Sequence, residues 1–358
     1  MYSPEERRKI TESLKLTPKD NFLRVLKGEI PESVPVQNMG FTGYNGEATY
    51  KIVGPFLFDE THLTPAPNGR YDIWGVKYVA NESTNFGCIP EPGNFLLDLD
   101  DMANWRDILK VPKLPDHIDW ETQAKKDWEA SGIDHTQSAA MGIIGLMPFQ
   151  QFVAFTGFEN ALMALYEEPD AVKEILECMT RLYLPICEAA AQYYTMDCVY
   201  ILDDTASAAS PFLSLDMFRE FLMPVYKKLT KPFSDRGIPI QYHNCGHCEI
   251  FLEDMRGIGV KVWDPAQTIN DLVGLKAKYG RDLVLAGCFD WHPPLGWPDV
   301  TEESIRQPIR DMVDTFAPGG GYMGRAGALG MPGDKDIEKV NAWMGEEFYW
   351  YSRGYYNR

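Results

Sequence analysis

From residue 139 onward the chain repeats one pattern, a short apolar run followed by a longer stretch with helical spacing. Ala139–Met147, Cys198–Leu202, Pro239–Tyr242, Val260–Trp263, Leu283–Ala286 and Gly321–Met323 have strand length and composition. Helices are predicted at Phe158–Glu167, Pro169–Tyr194, Leu215–Arg236, Glu249–Met255, Asn270–Tyr279, Glu302–Thr315 and Asp336–Ser352. Leu176, Met179, Tyr183 and Ile186 keep one apolar stripe on the second of these, and Pro224 predicts a kink in the third. Strands alternating with helices demand a parallel sheet. With an earlier strand candidate at Val34–Met39, the count suits a (β/α)8 barrel better than an open sheet.

The first part of the chain reads differently. Ser3-Pro4-Glu5-Glu6 is a capping box with proline at the first helical position. Thr17-Pro18-Lys19-Asp20 starts a second helix, which Gly28 closes. Residues 40–135 are rich in Gly, Pro, Asn and Trp and hold short strand-like pieces such as Tyr71–Val79, a hairpin arm. The expectation is a single barrel domain over 1–358, with a helical extension at 1–30 and an elaborated segment at 40–135 near the barrel mouth.

Net charge decides which partners to exclude. At −18 the chain repels nucleic acid and anionic membranes, although such an acid excess also serves ordinary solubility. Seven cysteines, an odd number spread along the chain, do not form a disulfide framework. No secretory leader and no apolar run of membrane-spanning length is seen, so a cytoplasmic protein is expected.

In a barrel of this kind chemistry sits at the C-terminal strand ends. The polar groups fall there: Asp203 and Asp204, His243 and Cys245, Asp264, then Cys288 and Asp290. His243 and Cys245 are two residues apart, so their side chains share one face of the strand end. Imidazole and thiolate together suit zinc. Buried core residues are the plainer reading of this pair. Cys245 and Cys248 also make a C-x-x-C, which a redox pair would need, but Cys248 begins a helix and points elsewhere. Of Asp203 and Asp204, one faces the mouth, while the other caps the next turn or pairs with an arginine. His247 and His292 either support the site or lie on the surface, and Arg325 either binds a carboxylate or phosphate or forms a salt bridge. The loop aromatics Phe41, Tyr44, Trp74, Phe86, Phe149, Phe289 and Trp291 are either barrel core or the lining of a pocket for a planar substrate.

Six segments, in this order, resemble the uroporphyrinogen decarboxylase-like superfamily. They are NFLRVLKGEIPESVPV (21–36), GFENALMALYEEPDAVKEIL (157–176), ILDDTAS (201–207), LSLDMFREFLMPVYKKL (213–229), HNCG (243–246) and LVLAGCFD (283–290). The resemblance implies a (β/α)8 barrel and one of two activities. The decarboxylating branch holds a polycarboxylate tetrapyrrole with an arginine-rich segment; the corresponding stretch here, QNMGFTGYNG, has no arginine. The cobalamin-dependent methyltransferases carry His-x-Cys-Gly at the equivalent strand end and bind zinc through His, Cys and a later Cys. His243 and Cys245 match the first two ligands. The last-strand cysteine of the thiol methyltransferases is missing from GGGYMGRAGALGMPGD (319–334). The third ligand is then Cys288, on an adjacent strand end, or a carboxylate from Asp203, Asp204 or Asp290.

Fewer thiolates make a stronger Lewis acid, which favours cleavage of a methyl ether over activation of a thiol. A phenolate is the easiest such leaving group, its conjugate acid having a pKa of about 10. The resemblance therefore implies a zinc enzyme that moves a methyl group from a methoxylated aromatic compound to Co(I), with Asp203 or Asp204 orienting the substrate or a metal-bound water. The chain lacks the D-x-H-x-x-G motif for cobalamin, so the corrinoid would come on a partner protein. A methylcobalamin:thiol methyltransferase, a metal-free decarboxylase and a non-catalytic ligand-binding barrel are the alternatives. The oligomeric state is open, a homodimer included.

Overall fold

A computed structural model describes residues 2–37, 44–55, 66–82, 87–145, 147–289, 300–327 and 333–358 of the chain. Its strands, in chain order, are β1 (Tyr50–Val53), β2 (Arg70–Tyr71), β3 (Lys77–Val79), β4 (Ile89–Pro90), β5 (Ala139–Ile144), β6 (Cys198–Leu202), β7 (Ile240–His243), β8 (Val260–Ala266), β9 (Val284–Gly287) and β10 (Tyr322–Gly324). Seven of them form one parallel sheet in the order β1-β5-β6-β7-β8-β9-β10. Helices follow each strand from β5 onward, as an α/β barrel requires.

The eighth position is the predicted Val34–Met39 strand, of which one parallel bridge, Val36 to Gly324, is formed. Gln37 N–H donates to Gly324 O at 2.8 Å and Gly324 N–H to Pro35 O at 3.0 Å. Pro35 has no N–H to extend the ladder. On its other side Val36 N–H finds the side-chain oxygen of Thr49, at 3.2 Å, in place of a strand carbonyl. Asn38 and Met39 lie outside the described residues.

Side-chain alternation splits the core into two shells. Tyr50, Met141, Cys198, Tyr200, Val262, Val284, Ala286 and Met323 point into the barrel. Phe22, Val25 and Leu26, from the helix Pro18–Leu26, join this inner cluster and cover the end where the strands begin. Val199, Ile201, Tyr242, Trp263 and Leu285 point outward into the much larger shell under the helices.

Both N-terminal capping boxes form, at Ser3 with Glu6 and at Thr17 with Asp20. Gly28, at φ 73°, ends the second helix. All seven cysteines are free. The helix predicted over Leu215–Arg236 contains a π-helical turn, Phe218–Leu222, immediately before Met223-Pro224. Pro224 lacks an N–H and its ring crowds the preceding turn, and the wider turn relieves both. Tyr71–Val79 proves to be a whole hairpin, since β2 and β3 pair antiparallel and β4 extends the small sheet. This sheet leans on the helix Pro148–Thr156: Trp74 packs edge-on against Phe155, and Gln151 Nε2 donates to Asp72 at 3.0 Å.

Glu347 is fully buried where the last two helices meet. It accepts from Arg306 at 2.5 Å and from Arg310 at 2.6 Å, and Arg306 also bonds Glu346 at 2.9 Å. Arg7 of the first helix reaches Glu346 and stacks over Trp350, tying the N-terminus to the last helix. Among the described residues no helix is long and apolar enough to cross a membrane.

Candidate metal centre

Strand parity decides which polar residues meet. On β6 the inward positions are Cys198, Tyr200 and Leu202, so Asp204 continues inward and Asp203 falls outside. On β7 Ile240 and Tyr242 point outward, which leaves Gln241, His243 and Cys245 for the interior. The register sets Leu202 beside His243 and His243 beside Asp264.

One ligand atom from each of Asp204, His243 and Cys245 falls within 4.8 Å of the others. Cys245 Sγ is 3.3 Å from His243 Nε2, and Asp204 Oδ1 is 3.7 Å from the same nitrogen. The Cys245 N–H donates to Asp204 Oδ1 at 2.8 Å, which holds the two loops together. Gly246 makes the turn possible: at φ 96°, a Cβ there would stand 2.7 Å from the carbonyl oxygens of Ala206 and Ser207. Thiolate, imidazole and carboxylate are all zinc donors, so the residues present fit that ion.

The other side of His243 is occupied. Its Nδ1 is 2.8 Å from Tyr200 Oη and 3.6 Å from Asp264. Asp264 is completely enclosed and accepts from Tyr200 Oη, from Gln37 Nε2 at 2.8 Å and from Gln241 Nε2 at 2.9 Å. Burial by itself would raise the Asp264 pKa, but the neighbouring His243 and the bonds from Tyr200 and Gln241 outweigh it and the carboxyl is lowered. Burial would lower the His243 pKa, and the neighbouring Asp264 and Cys245 raise it well above the ordinary value. For Cys245 burial wins, and its pKa is raised. A metal binding here must therefore displace protons from both ligands.

The remaining predicted residues lie elsewhere. Asp203 is fully buried and turned away from the mouth. Its carboxylate accepts from Phe149 N–H at 2.7 Å, Gln150 N–H at 3.0 Å and Tyr226 Oη at 2.6 Å, and so caps the helix Pro148–Thr156, which has no side-chain cap of its own. Burial pushes its pKa up to about 7. Cys288 departs from the predicted ligand set. The alternation that turns Val284 and Ala286 inward would bring it in, but β9 ends at Gly287, φ 113°, and Cys288 itself is at φ 57°. Two left-handed residues reverse the parity, and Cys288 packs in the outer shell. Cys248 also points away, donating to Asn244 O at 3.3 Å. His247 stays at the surface beside Ala209 O.

Arg325, directly after β10, lines a cavity of about 340 Å³ together with Gln37, Tyr44, Tyr349 and Arg353. None of the three ligand candidates lines this cavity. Burial lowers the Arg325 pKa, against the pull of Asp264. Trp74 and Phe149 are core residues, and Phe289 is partly buried against that core. Asp290, Trp291, His292, Phe41 and Phe86 lie outside the described residues. Sequence reasoning missed Tyr200, Gln241 and Gln37. For Tyr200 and Gln241 the available signal was a polar side chain at inward parity in an otherwise apolar strand; Gln37, outside the named strands, gave none.

The two aspartates should separate experimentally. Asp203→Ala strands two N–H groups and the Tyr226 hydroxyl, so a loss of about 3 kcal/mol is expected with metal content unchanged. Asp204→Ala should lose metal and, with the Cys245 N–H bond gone, only about 1 kcal/mol of stability. Urea unfolding and elemental analysis of the two variants check both statements.

Residues 96–346 match the sequence profile described as uroporphyrinogen decarboxylase (URO-D). The chain belongs to the uroporphyrinogen decarboxylase family. Within this family's barrel, the His243–Cys245 strand end belongs to the fourth of the seven paired strands, next to the loop after β6 that carries Asp204. Among solved structures, a methyltransferase from Methanosarcina mazei is similar, with 18% identity and a TM-score of 0.58 over 94% of this chain and 100% of that one. That likeness is one of fold. No curated protein matches the sequence.

Proposed function

We propose that this chain is a zinc-dependent methyltransferase that moves a methyl group from a methoxylated aromatic compound to the Co(I) corrinoid of a partner protein. One observation carries the reading: Asp204, His243 and Cys245 converge at the C-terminal strand ends, where such barrels do their chemistry. The methyltransferase fold likeness supports the class of reaction. The arginine-free stretch 37–46 speaks against a tetrapyrrole bearing many carboxylates.

His243, Cys245 and Asp204 would hold the ion. Bound there, zinc supplies Lewis acidity toward the ether oxygen of the substrate. A single thiolate among the three donors keeps that acidity high. Asp204 also fixes the Cys245 loop through the Cys245 N–H. Co(I) is the nucleophile, so no side chain of this protein attacks the methyl group.

The test is turnover. Purified protein is mixed with a Co(I) corrinoid protein and a panel of methoxyarenes, methylamines and methyl thiols, and the cobalt absorbance is followed. Methyl–cobalt should appear with methoxyarenes, and removal of zinc should slow it while corrinoid-protein docking survives. Full-rate demethylation by zinc-free protein sinks the Lewis-acid role. Demethylation of methylcobalamin that occurs only with a small thiol present points to the thiol methyltransferase.

A further inference from the structure

The chain surrounds His243 on both sides, and only one side belongs to the ligand cluster. We infer that Tyr200 and Asp264 are positioning residues, which hold His243 in the tautomer and orientation that free Nε2 for a metal; this rests on the zinc reading above.

The proton directions follow from counting donors. Asp264 is enclosed by three donors, Gln37 Nε2, Gln241 Nε2 and Tyr200 Oη. The amide groups of both glutamines are turned toward it, and as a result Gln37 Oε1 and Gln241 Oε1 are buried without partners. Leaving two carbonyl oxygens unsatisfied costs free energy. That arrangement suits a carboxylate that only accepts. The single hydroxyl hydrogen of Tyr200 therefore goes to Asp264.

Tyr200 Oη then meets Nδ1, 2.8 Å away, with a lone pair and no hydrogen to give. The hydrogen in that contact must be the one on Nδ1. A neutral imidazole protonated at Nδ1 has its free lone pair on Nε2. That nitrogen faces Cys245 Sγ at 3.3 Å and Asp204 Oδ1 at 3.7 Å. The edge-on packing of the Tyr200 and His243 rings, with planes 87° apart, fixes the imidazole plane as well. Carboxylate, tyrosine and imidazole form a chain that selects one tautomer and one ring orientation.

Tyr200→Phe keeps the ring and removes the acceptor of the Nδ1 hydrogen. Zinc affinity, measured by competition with a chelator, should fall by about 10- to 100-fold, as for other outer partners of metal-binding histidines. The visible spectrum of the Co(II)-substituted variant should shift, because the ring is no longer held in one plane. Thermal unfolding of the metal-free variant provides the control, since a merely structural role would lower its melting temperature and leave zinc affinity alone. Asp264→Asn removes the charge that orders the chain and should weaken zinc in the same range; it decides the matter if Tyr200→Phe does not fold. A wild-type protein that takes no zinc overturns the metal centre and this inference together. Wild type that binds zinc, with a folded Tyr200→Phe variant within about twofold of it, overturns this inference alone.

Discussion

Under the proposed zinc methyltransferase function, Cys245→Ser is expected to lose zinc binding and methyl transfer together. Serine is a hard, protonated donor at neutral pH and replaces the only thiolate among the three converging groups. Metal content should fall from one ion per chain to below detection. If Lewis-acid stabilisation is worth several kcal/mol, turnover should drop by at least roughly a hundredfold. The controls are Cys248→Ser and Cys288→Ser. Cys248 is committed to Asn244 O, and Cys288 packs in the outer shell, so both should keep zinc at wild-type stoichiometry. Elemental analysis of the three variants separates the readings. A Cys288→Ser variant that loses zinc as completely as Cys245→Ser would return Cys288 to the ligand set.

The largest effect on stability is expected at Glu347. This carboxylate is fully enclosed and is held by Arg306 and Arg310. Glu347→Ala leaves Arg306, itself nearly buried, facing the gap with only Glu346 and Glu302. Breaking one partner of such a pair costs about 3–5 kcal/mol, because the remaining charge stays out of water. In a chain of 358 residues, where an unfolding entropy of about 2.1 cal/mol/K per residue means about 1 kcal/mol moves the midpoint by about 1.3 °C, that predicts a fall of roughly 4–7 °C. Glu338→Ala on the same helix serves as the comparison. Its pair with Lys335 is exposed, and such pairs contribute about 0–1 kcal/mol. Equal melting temperatures for the two variants would refute the assignment.

Much of the barrel was legible because it is written in local periodicity. Apolar runs of strand length, the capping boxes at Ser3 and Thr17, and the proline at 224 each act through their near neighbours. The shared face of His243 and Cys245 was legible for the same reason, since parity within one strand needs no tertiary contact. Boundaries were less so. The helix expected from Asn270 starts at Leu272, because Asn270 is drawn off to donate to Gly246 O and to accept from Cys248 N–H.

The sequence by itself determined the class of fold and two of the three converging donors. Only the tertiary structure chose the third. Asp203 and Asp204 are identical in kind and adjacent, and the parity of β6 sends one under a helix and the other into the mouth. Cys288 needed one more inward step, and two left-handed residues at the end of β9 turned it out. Tyr200, Gln241 and Gln37 come from three separate segments and meet only around Asp264. Periodicity along a chain specifies which face a side chain takes. Which side chains meet across strands depends on register and on where each strand stops, and those are set by the packing of the whole barrel.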